Sequence, residues 1–440
     1  MKLYCDKQEL KKKSKNELVD DLYDSLVEIE KLKRELLKYK NSNTPSSAYP
    51  HLTPAVASRA SGKRGAPFGH PGTNRPWMPD ALVHHIVAKE CPRCHGNDIR
   101  VARTARQQID EIPQEIKLIT TTVERDICEC NRCHLKFVAR DEQTPLKGRF
   151  GVNLMVLVIF LRFIVRGVMR KTAGFLDASF ALRLAPASVQ AIIARAAAAG
   201  EKEYAQIKYR IRTASRLYID ETSFSVLGRN WWVWVFRSDT DKLLVIRKSR
   251  GNNVLEEILG REYAGVVHCD CWRAYNFLSL ASLQRCWAHL LRKSAELKIT
   301  VVGRHFHDKL SACFDQIGPF NNEERTVQER ASKYDELTEK LQSITKYYAR
   351  YSDCKAVVKY VNFHIESWFT CVKFDNVEPT NNLAEQAIRE TVIVRKIIGA
   401  FRSEKGPQNY ETLASLLATW QSQQKDIRQE LHRMLTKQLC

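Results

Sequence analysis

Three carboxylates stand where they could share metal ions. Asp220 closes the apolar run Leu217-Tyr-Ile, Asp270 closes Gly265-Val-Val-His-Cys, and Glu385 follows Pro379-Thr-Asn-Asn-Leu-Ala. Short apolar runs predict strands, and Thr380, Asn381 and Asn382 are good helix N-caps that put Glu385 in the first two turns of a helix. A lone Glu there would serve the helix dipole or a solvated ion pair, the latter with Arg389 at i+4. Two strand-end aspartates upstream change that balance. Hard carboxylate oxygens converging from such elements hold divalent metal, and the chemistry to test for is a metal-dependent nuclease acting on DNA.

A second set of ligands is sulfur. Cys91-Pro-Arg-Cys94 and Cys130-Asn-Arg-Cys133 are two C-x2-C knuckles with 35 residues between them, the pattern of a zinc ribbon. Four thiolates close the tetrahedron, so this zinc is expected to be structural. Cys128 competes with Cys130, and His95 and His134 are alternative ligands; residues 110–124 between the knuckles are strand-like. A third group, Cys286-Trp-Ala-His289, has C-x2-H spacing but no second pair nearby. Cys286 and His289 are therefore expected mainly to brace neighbouring elements, and Trp287 either fills a core or stacks on a base.

The bulk composition fits a polyanion partner. Seventy Lys and Arg face fifty Asp and Glu, giving a net charge of +20 over 440 residues, with nucleic acid the first candidate and anionic membrane the second. The start is lysine-rich and polar, without an apolar signal region. The longest apolar stretch, Val152 to Val165, is broken by Asn153 and Arg162 and falls short of a membrane span of roughly 20 residues. A cytoplasmic, nucleoid-associated protein is expected, with no membrane partner. Thirteen cysteines without a secretion signal suggest thiols and metal ligands.

The elements that must position these groups divide the chain as a multidomain α/β protein. Residues 1–40 carry a heptad seam (Leu22, Ile29, Leu36 with Leu18, Ser25, Leu32, Tyr39), either a coiled coil or one amphipathic helix. A basic Ser/Pro/Gly-rich linker covers 41–77, and the zinc-ribbon-like unit 78–145. Residues 146–212 are helical: an apolar helix 154–168 with Arg162 and Arg166 on its rim, a helix over 171–183, and a helix over 189–199 capped by Ser188. This is a helix-turn-helix or a packing module, with Arg166, Arg170, Lys171 and Arg183 available to DNA. Residues 213–289 switch to strands: three hairpin-linked runs, a helix, the run ending at Asp270, a helix over 272–283 and a strand over 284–288. That is the ribonuclease H-like order, in which the first and fourth strands lie side by side. A polar helical insertion, 290–375, separates Asp270 from Glu385. Residues 376–440 complete the core, with Arg389, Arg395, Lys396 and Arg402 placed to meet phosphates. They end in an amphipathic helix over 410–439 that carries Leu413, Leu416, Leu417 and Trp420 on one face.

In this combination the chain resembles a DDE transposase of the insertion sequence 66 family over nearly its whole length. The resemblance rests on Gly62-Lys-Arg-Gly…Gly69-His-Pro-Gly72, the two knuckles, Tyr218-Ile-Asp220-Glu-Thr, Cys269-Asp270-Cys-Trp-Arg-Ala-Tyr275-Asn, Cys286-Trp-Ala-His289-Leu-Leu-Arg292-Lys293 and Asn381-Asn-Leu-Ala-Glu385-Gln-Ala-Ile-Arg389. It implies that Asp220, Asp270 and Glu385 are a catalytic triad holding two Mg or Mn ions. It implies cleavage at an element's inverted repeats and strand transfer into target DNA, by a homo-oligomer on double-stranded DNA, with accessory proteins of the same element as further partners. A catalytically silent DNA-binding relative and a stand-alone nuclease are the alternatives. Two departures mark a divergent branch: Cys271-Trp272 stands where the family often has Gly-Tyr, and residues 390–396 lack a proline often found there.

Overall fold

The computed structural model describes residues 117–439 continuously, together with 86–90, 92–107, 109 and the isolated positions 14, 18, 19, 28, 29 and 32. Most of the heptad seam, the basic linker and Cys91 lie outside the described residues. Within them, residues 117–124 form no strand. The first strands are instead β1 (Ile127–Glu129) and β2 (Lys136–Val138), an antiparallel hairpin around the second knuckle.

Helices follow. In α1 (Val152–Ile159) the ladder loosens into one π turn, Phe160–Ile164, and Arg162 is buried there, not on the rim that periodicity assigned to it. Next, α2 (Met169–Phe180) stops three residues earlier than expected, at a left-handed Ala181. The following helix does not start at Ser188. It runs as α3 from Pro186 to Arg212, because proline at the first position is already set for the helical φ and lacks the N–H that would be orphaned. Its buried stripe, Val189 to Ile211, lies in the main core. At Gly200 a Cβ would sit 2.5 Å from Leu416 Cδ1, so glycine is what allows that close helix contact.

The sheet comes next. An antiparallel meander of β3 (Arg216–Val226), β4 (Arg229–Arg237) and β5 (Lys242–Arg247) turns at Leu227 and Gly228, both at positive φ, as a tight hairpin requires. The helix α4 (Asn252–Ile258) carries the chain across to β6 (Val266–Cys269), which pairs parallel with β3. A single 3-10 turn, Arg273–Phe277, replaces the helix expected over 272–283, and β7 (Ser282–Arg285) ends where a strand was expected to begin. The order is β5-β4-β3-β6-β7.

The chain then leaves the sheet for a helical block: α5 (Trp287–Ala295), α6 (Val301–Phe314), α7 (Ile317–Asn321), α8 (Val327–Tyr348), α9 (Lys355–Asn362) and α10 (Thr370–Lys373). Polar as its sequence is, the block has its own buried core around Trp287, Trp368, Phe306 and Leu341. Trp287 is fully buried and donates its indole N–H to the Trp368 carbonyl at 2.6 Å, which rules out base stacking by this side chain.

Returning to the sheet, α11 (Asn382–Ile398) lies across β3 and β4, followed by the two-residue β8 (Ala400–Phe401) pairing with the end of β3. The expected final helix is two: α12 (Lys405–Ser422) and α13 (Ile427–Leu439), with Leu413, Leu416, Leu417 and Trp420 buried. α12 also covers the edge strand. Glu411, Ser415 and Thr419, one turn apart, accept the backbone N–H groups of Ile246, Leu244 and Lys242 at 2.7, 2.8 and 3.0 Å. Four helical residues rise about 6 Å and two strand residues about 6.7 Å, so the two series stay in step and the exposed ladder edge is satisfied. Among the described residues no helix is long and apolar enough to cross a membrane.

Candidate active site

The parallel register sets the first pair of acids. Tyr218 lies opposite His268, so Asp220 and Asp270, each two residues further on, lie side by side on the same face. Asp270 follows the end of β6, whereas Asp220 does not end its strand as the apolar run suggested but sits inside β3, which continues to Val226 because it pairs with β4 over its whole second half. Their bases are stacked: the Tyr218 and His268 rings are 4.0 Å apart. The Asp270 turn is pinned from below by Arg285, which is 1% exposed and donates to the Asp270 carbonyl, to Asn276 Oδ1 and to Cys269 Sγ. The Asp270 carboxylate accepts the Trp272 backbone N–H at 2.8 Å.

Glu385 arrives from the same face. Asp220 sits opposite Val235 on the sheet side whose apolar residues, Phe224, Val226, Val233 and Val235, pack against Ile388 and Val394 of α11. Asn381 occupies the N-cap position, yet no side-chain cap bond forms. Its Nδ2 instead donates to the Ile219 carbonyl at 2.7 Å, and Arg237 donates to the Leu383 carbonyl at 3.1 Å. These bonds fix the first turn of the helix to the two strands beneath it.

The electrostatics are those of crowded acids. Burial first, then the carboxylates of Glu221, Asp270 and Glu385, push the Asp220 carboxyl well above the usual carboxylate range. Glu221 points to the opposite sheet face. Burial and Asp270 push it up to about 7, against the hydrogen bonds from Tyr275 and Arg250. Glu385 has a cation in reach: Arg292 Nη2 donates to its Oε1 at 2.9 Å, and the Arg292 side chain is only 1% exposed. Hard oxygen donors from a strand, a strand end and a helix, one of them buried among like charges, fit divalent cations of the magnesium class.

The candidate DNA contacts separate. Arg389, Lys396, Arg402, Arg170 and Lys171 are exposed. Arg395 is spent on the fold: its Nη1 reaches Thr222 Oγ1, Ser223 Oγ and the Ser223 carbonyl. Arg166 is held in a bidentate pair by Glu390, at 2.6 and 2.8 Å. Lys396 lies eleven residues beyond Glu385, roughly 16 Å along the helix. Arg402 follows β8, whose Ala400 pairs with Ser225, roughly 17 Å along β3 from Asp220. Both therefore stand well away from the three acids.

The two knuckles share one backbone feature. His95 and His134, each directly after the second cysteine, have φ of 55° and 57°. At the second knuckle the backbone N–H groups of Cys133 and Arg132 lower the Cys130 thiol pKa, which favours the thiolate a metal needs. Cys94 and Cys133 are exposed, Cys128 and Cys130 half-buried. Among the described residues, the group of three side chains close enough to share one ion is a different one: Cys286, His289 and Glu385.

Sequence patterns had no means of finding Arg285, Arg250 or Glu221 in these roles. Arg292 carried a faint signal, sitting at i+3 from His289 on one helix face.

An uncharacterized protein of Sinorhizobium fredii (strain NBRC 101917 / NGR234), y4hP, is 23% identical over 415 residues, covering 83% of this chain and 74% of its own length. A second uncharacterized protein of that strain, y4qI, is 24% identical over 265 residues, covering 52% of this chain and 48% of its own length. The family profile described as "Transposase IS66 family" matches residues 147–409, from the first helices through all three acids to the start of α12. With more than half of its length matched, the chain belongs to the IS66 family of transposases.

Proposed function

We propose that the protein is a DNA transposase that binds the terminal inverted repeats of an insertion sequence, cleaves a strand there and joins it to target DNA. The observation that carries this is the parallel pairing of β3 with β6, with Tyr218 opposite His268, which delivers Asp220 and Asp270 side by side under the helix bearing Glu385. The sheet order, with its first and fourth strands adjacent and a helical acid added from later in the chain, supports a ribonuclease H-like core.

Asp220, Asp270 and Glu385 would hold two magnesium or manganese ions, which supply activation of the attacking hydroxyl and stabilisation of the leaving sugar oxygen. The chain's own residues do the rest. Arg285 and Asn381 hold the acid-bearing turn and helix in place. Arg389, Lys396 and Arg402, with Arg170 and Lys171 on α2, neutralise phosphates of the bound duplex. Arg395 supports β3 and is reassigned from phosphate binding to positioning. The knuckles would hold a structural zinc through Cys91, Cys94, Cys130 and Cys133, supported by their matched turns.

The test is a donor fragment flanked by the element's terminal repeats, incubated with the full chain and target DNA. Cleavage and joining are expected with magnesium and neither with EDTA. Asp220→Ala should bind the ends yet join nothing; strand transfer by that variant in magnesium would sink the proposal.

A further inference from the structure

Cys286, His289 and Glu385 bring together a thiol, an imidazole and a carboxylate whose ligand atoms all lie within 4.8 Å of one another. Cys286 starts α5, and its buried sulfur accepts the Asn381 backbone N–H at 3.2 Å. Amide donors of this kind support a thiolate bound to metal. His289, one turn on, has an Nδ1 with no hydrogen-bond partner although the atom is buried. It lies 3.8 Å from Glu385 Oε1, too long for a hydrogen bond. A buried nitrogen left in this way is costly, and a metal ion between it and the carboxylate would remove that cost.

We propose that Cys286 Sγ, His289 Nδ1 and a Glu385 carboxylate oxygen form a site for a soft divalent cation of the zinc class, and that filling it takes Glu385 away from the acid cluster. Ligands around a tetrahedral zinc stand about 3.3–3.8 Å apart, given bonds of about 2.0–2.3 Å, so small side-chain movements close the present arrangement. A thiolate selects against magnesium and calcium, which take oxygen. On binding, the Cys286 thiol proton is released to solvent and the sulfur–metal bond forms. Arg292, 2.9 Å from the same carboxylate, opposes a second cation there. Affinity is therefore below that of a closed four-thiolate site, as suits an ion that comes and goes. Binding stands by itself; only its inhibitory consequence rests on Glu385 being a catalytic ligand.

Cobalt titration of the full chain tests it, because thiolate-bound Co²⁺ absorbs in the near ultraviolet whether or not the protein is active. The knuckles contribute a background that is the same in wild type and in each variant below, so the comparison is made by difference. Against that background, Cys286→Ala is expected to lose one equivalent of cobalt with its thiolate band, and Glu385→Gln to weaken the same equivalent at least tenfold. If Cys286→Ala does not fold, His289→Gln, at a partly exposed side chain, reports the same equivalent. Equal stoichiometry and spectra in wild type and the folded variants overturn the site. In the cleavage assay with magnesium, zinc should inhibit wild type at least tenfold more strongly than Cys286→Ala. Cobalt binding that meets these expectations alongside equal zinc inhibition overturns the regulatory role while the transposase assignment stands. A chain inactive under all conditions but with the Cys286-dependent cobalt signal overturns the functional proposal and leaves the site.

Discussion

Asn381 Nδ2 donates to the Ile219 carbonyl at 2.7 Å, and this bond ties the first turn of α11 to the strand residue before Asp220. The β3–β6 register ends at Tyr218, and one residue on, a side chain from 162 residues downstream takes up the strand's carbonyl. Asn381→Ala leaves that carbonyl unpaired in a fully buried place, a cost of about 1–3 kcal/mol. Denaturant unfolding should show that loss, and strand cleavage at saturating magnesium should fall by at least tenfold, since Glu385 is no longer held over Asp220. Wild-type cleavage in a destabilised variant would mean the bond supports only the fold.

Arg292 pairs with Glu385 in the absence of metal. Breaking a buried pair by removing one partner typically costs about 3–5 kcal/mol, because the other charge is left uncompensated. Arg292→Gln should therefore melt well below wild type without metal. Manganese at the acids would supply the missing charge, so the stabilisation it gives should be larger in the variant than in wild type. Thermal unfolding with and without manganese decides this; an equal manganese shift in both proteins counts against the pairing.

The acids were legible and their supports were not, for a physical reason. Asp220 and Asp270 end apolar runs, Glu385 follows a run of capping residues, and such patterns are local. The strand pairing then follows from the meander and crossover. The residues that hold the acids act across long separations: Arg292 to Glu385, Arg250 to Glu221, Asn381 to Ile219. A buried arginine looks in sequence like any exposed one, and Arg395, expected at phosphates, turned out to serve β3. Local preference also misplaced elements. Pro186 outranked Ser188 in starting α3, and Asn381, named as a cap, is turned so that its Nδ2 donates to the strand while its oxygen accepts no helix N–H. The stretch after Asp270 forms only one 3-10 turn because Arg285 draws Asn276 back to the Asp270 carbonyl.

The Tyr218–His268 stack beneath the acids makes stability depend on pH. His268 is fully buried, and desolvation lowers its pKa to about 4, from about 6.5 in an unfolded chain. Between those values the unfolded state binds more protons, so stability is full above about 6.5 and falls as the pH drops toward 4. The span corresponds to about 3 kcal/mol at roughly 1.4 kcal/mol per unit. His268→Phe keeps a stacking ring and removes the titration. Its unfolding free energy should lose about 3 kcal/mol less than wild type between pH 7 and pH 4; parallel curves would place the acid sensitivity elsewhere.

Arg250 links the opposite sheet face to Asp270. Its guanidinium lies between Trp232 and Trp272, 4.7 and 4.3 Å from the ring centroids, and is held by Glu221 at 2.8 Å. Trp272 in turn donates its indole N–H to the Arg250 carbonyl at 2.9 Å and its backbone N–H to Asp270. The clamp therefore sets the turn that aims the Asp270 carboxylate. Arg250→Lys keeps the charge but loses the flat group that two rings can sandwich. Two partly exposed cation–π contacts are worth about 1–2 kcal/mol together, which is on the order of a tenfold change in an equilibrium constant. The magnesium concentration for half-maximal cleavage should rise by about that factor, while the rate at saturating magnesium and the affinity for element ends change little. A fall in the saturated rate with an unchanged magnesium requirement would instead put Arg250 in contact with the DNA.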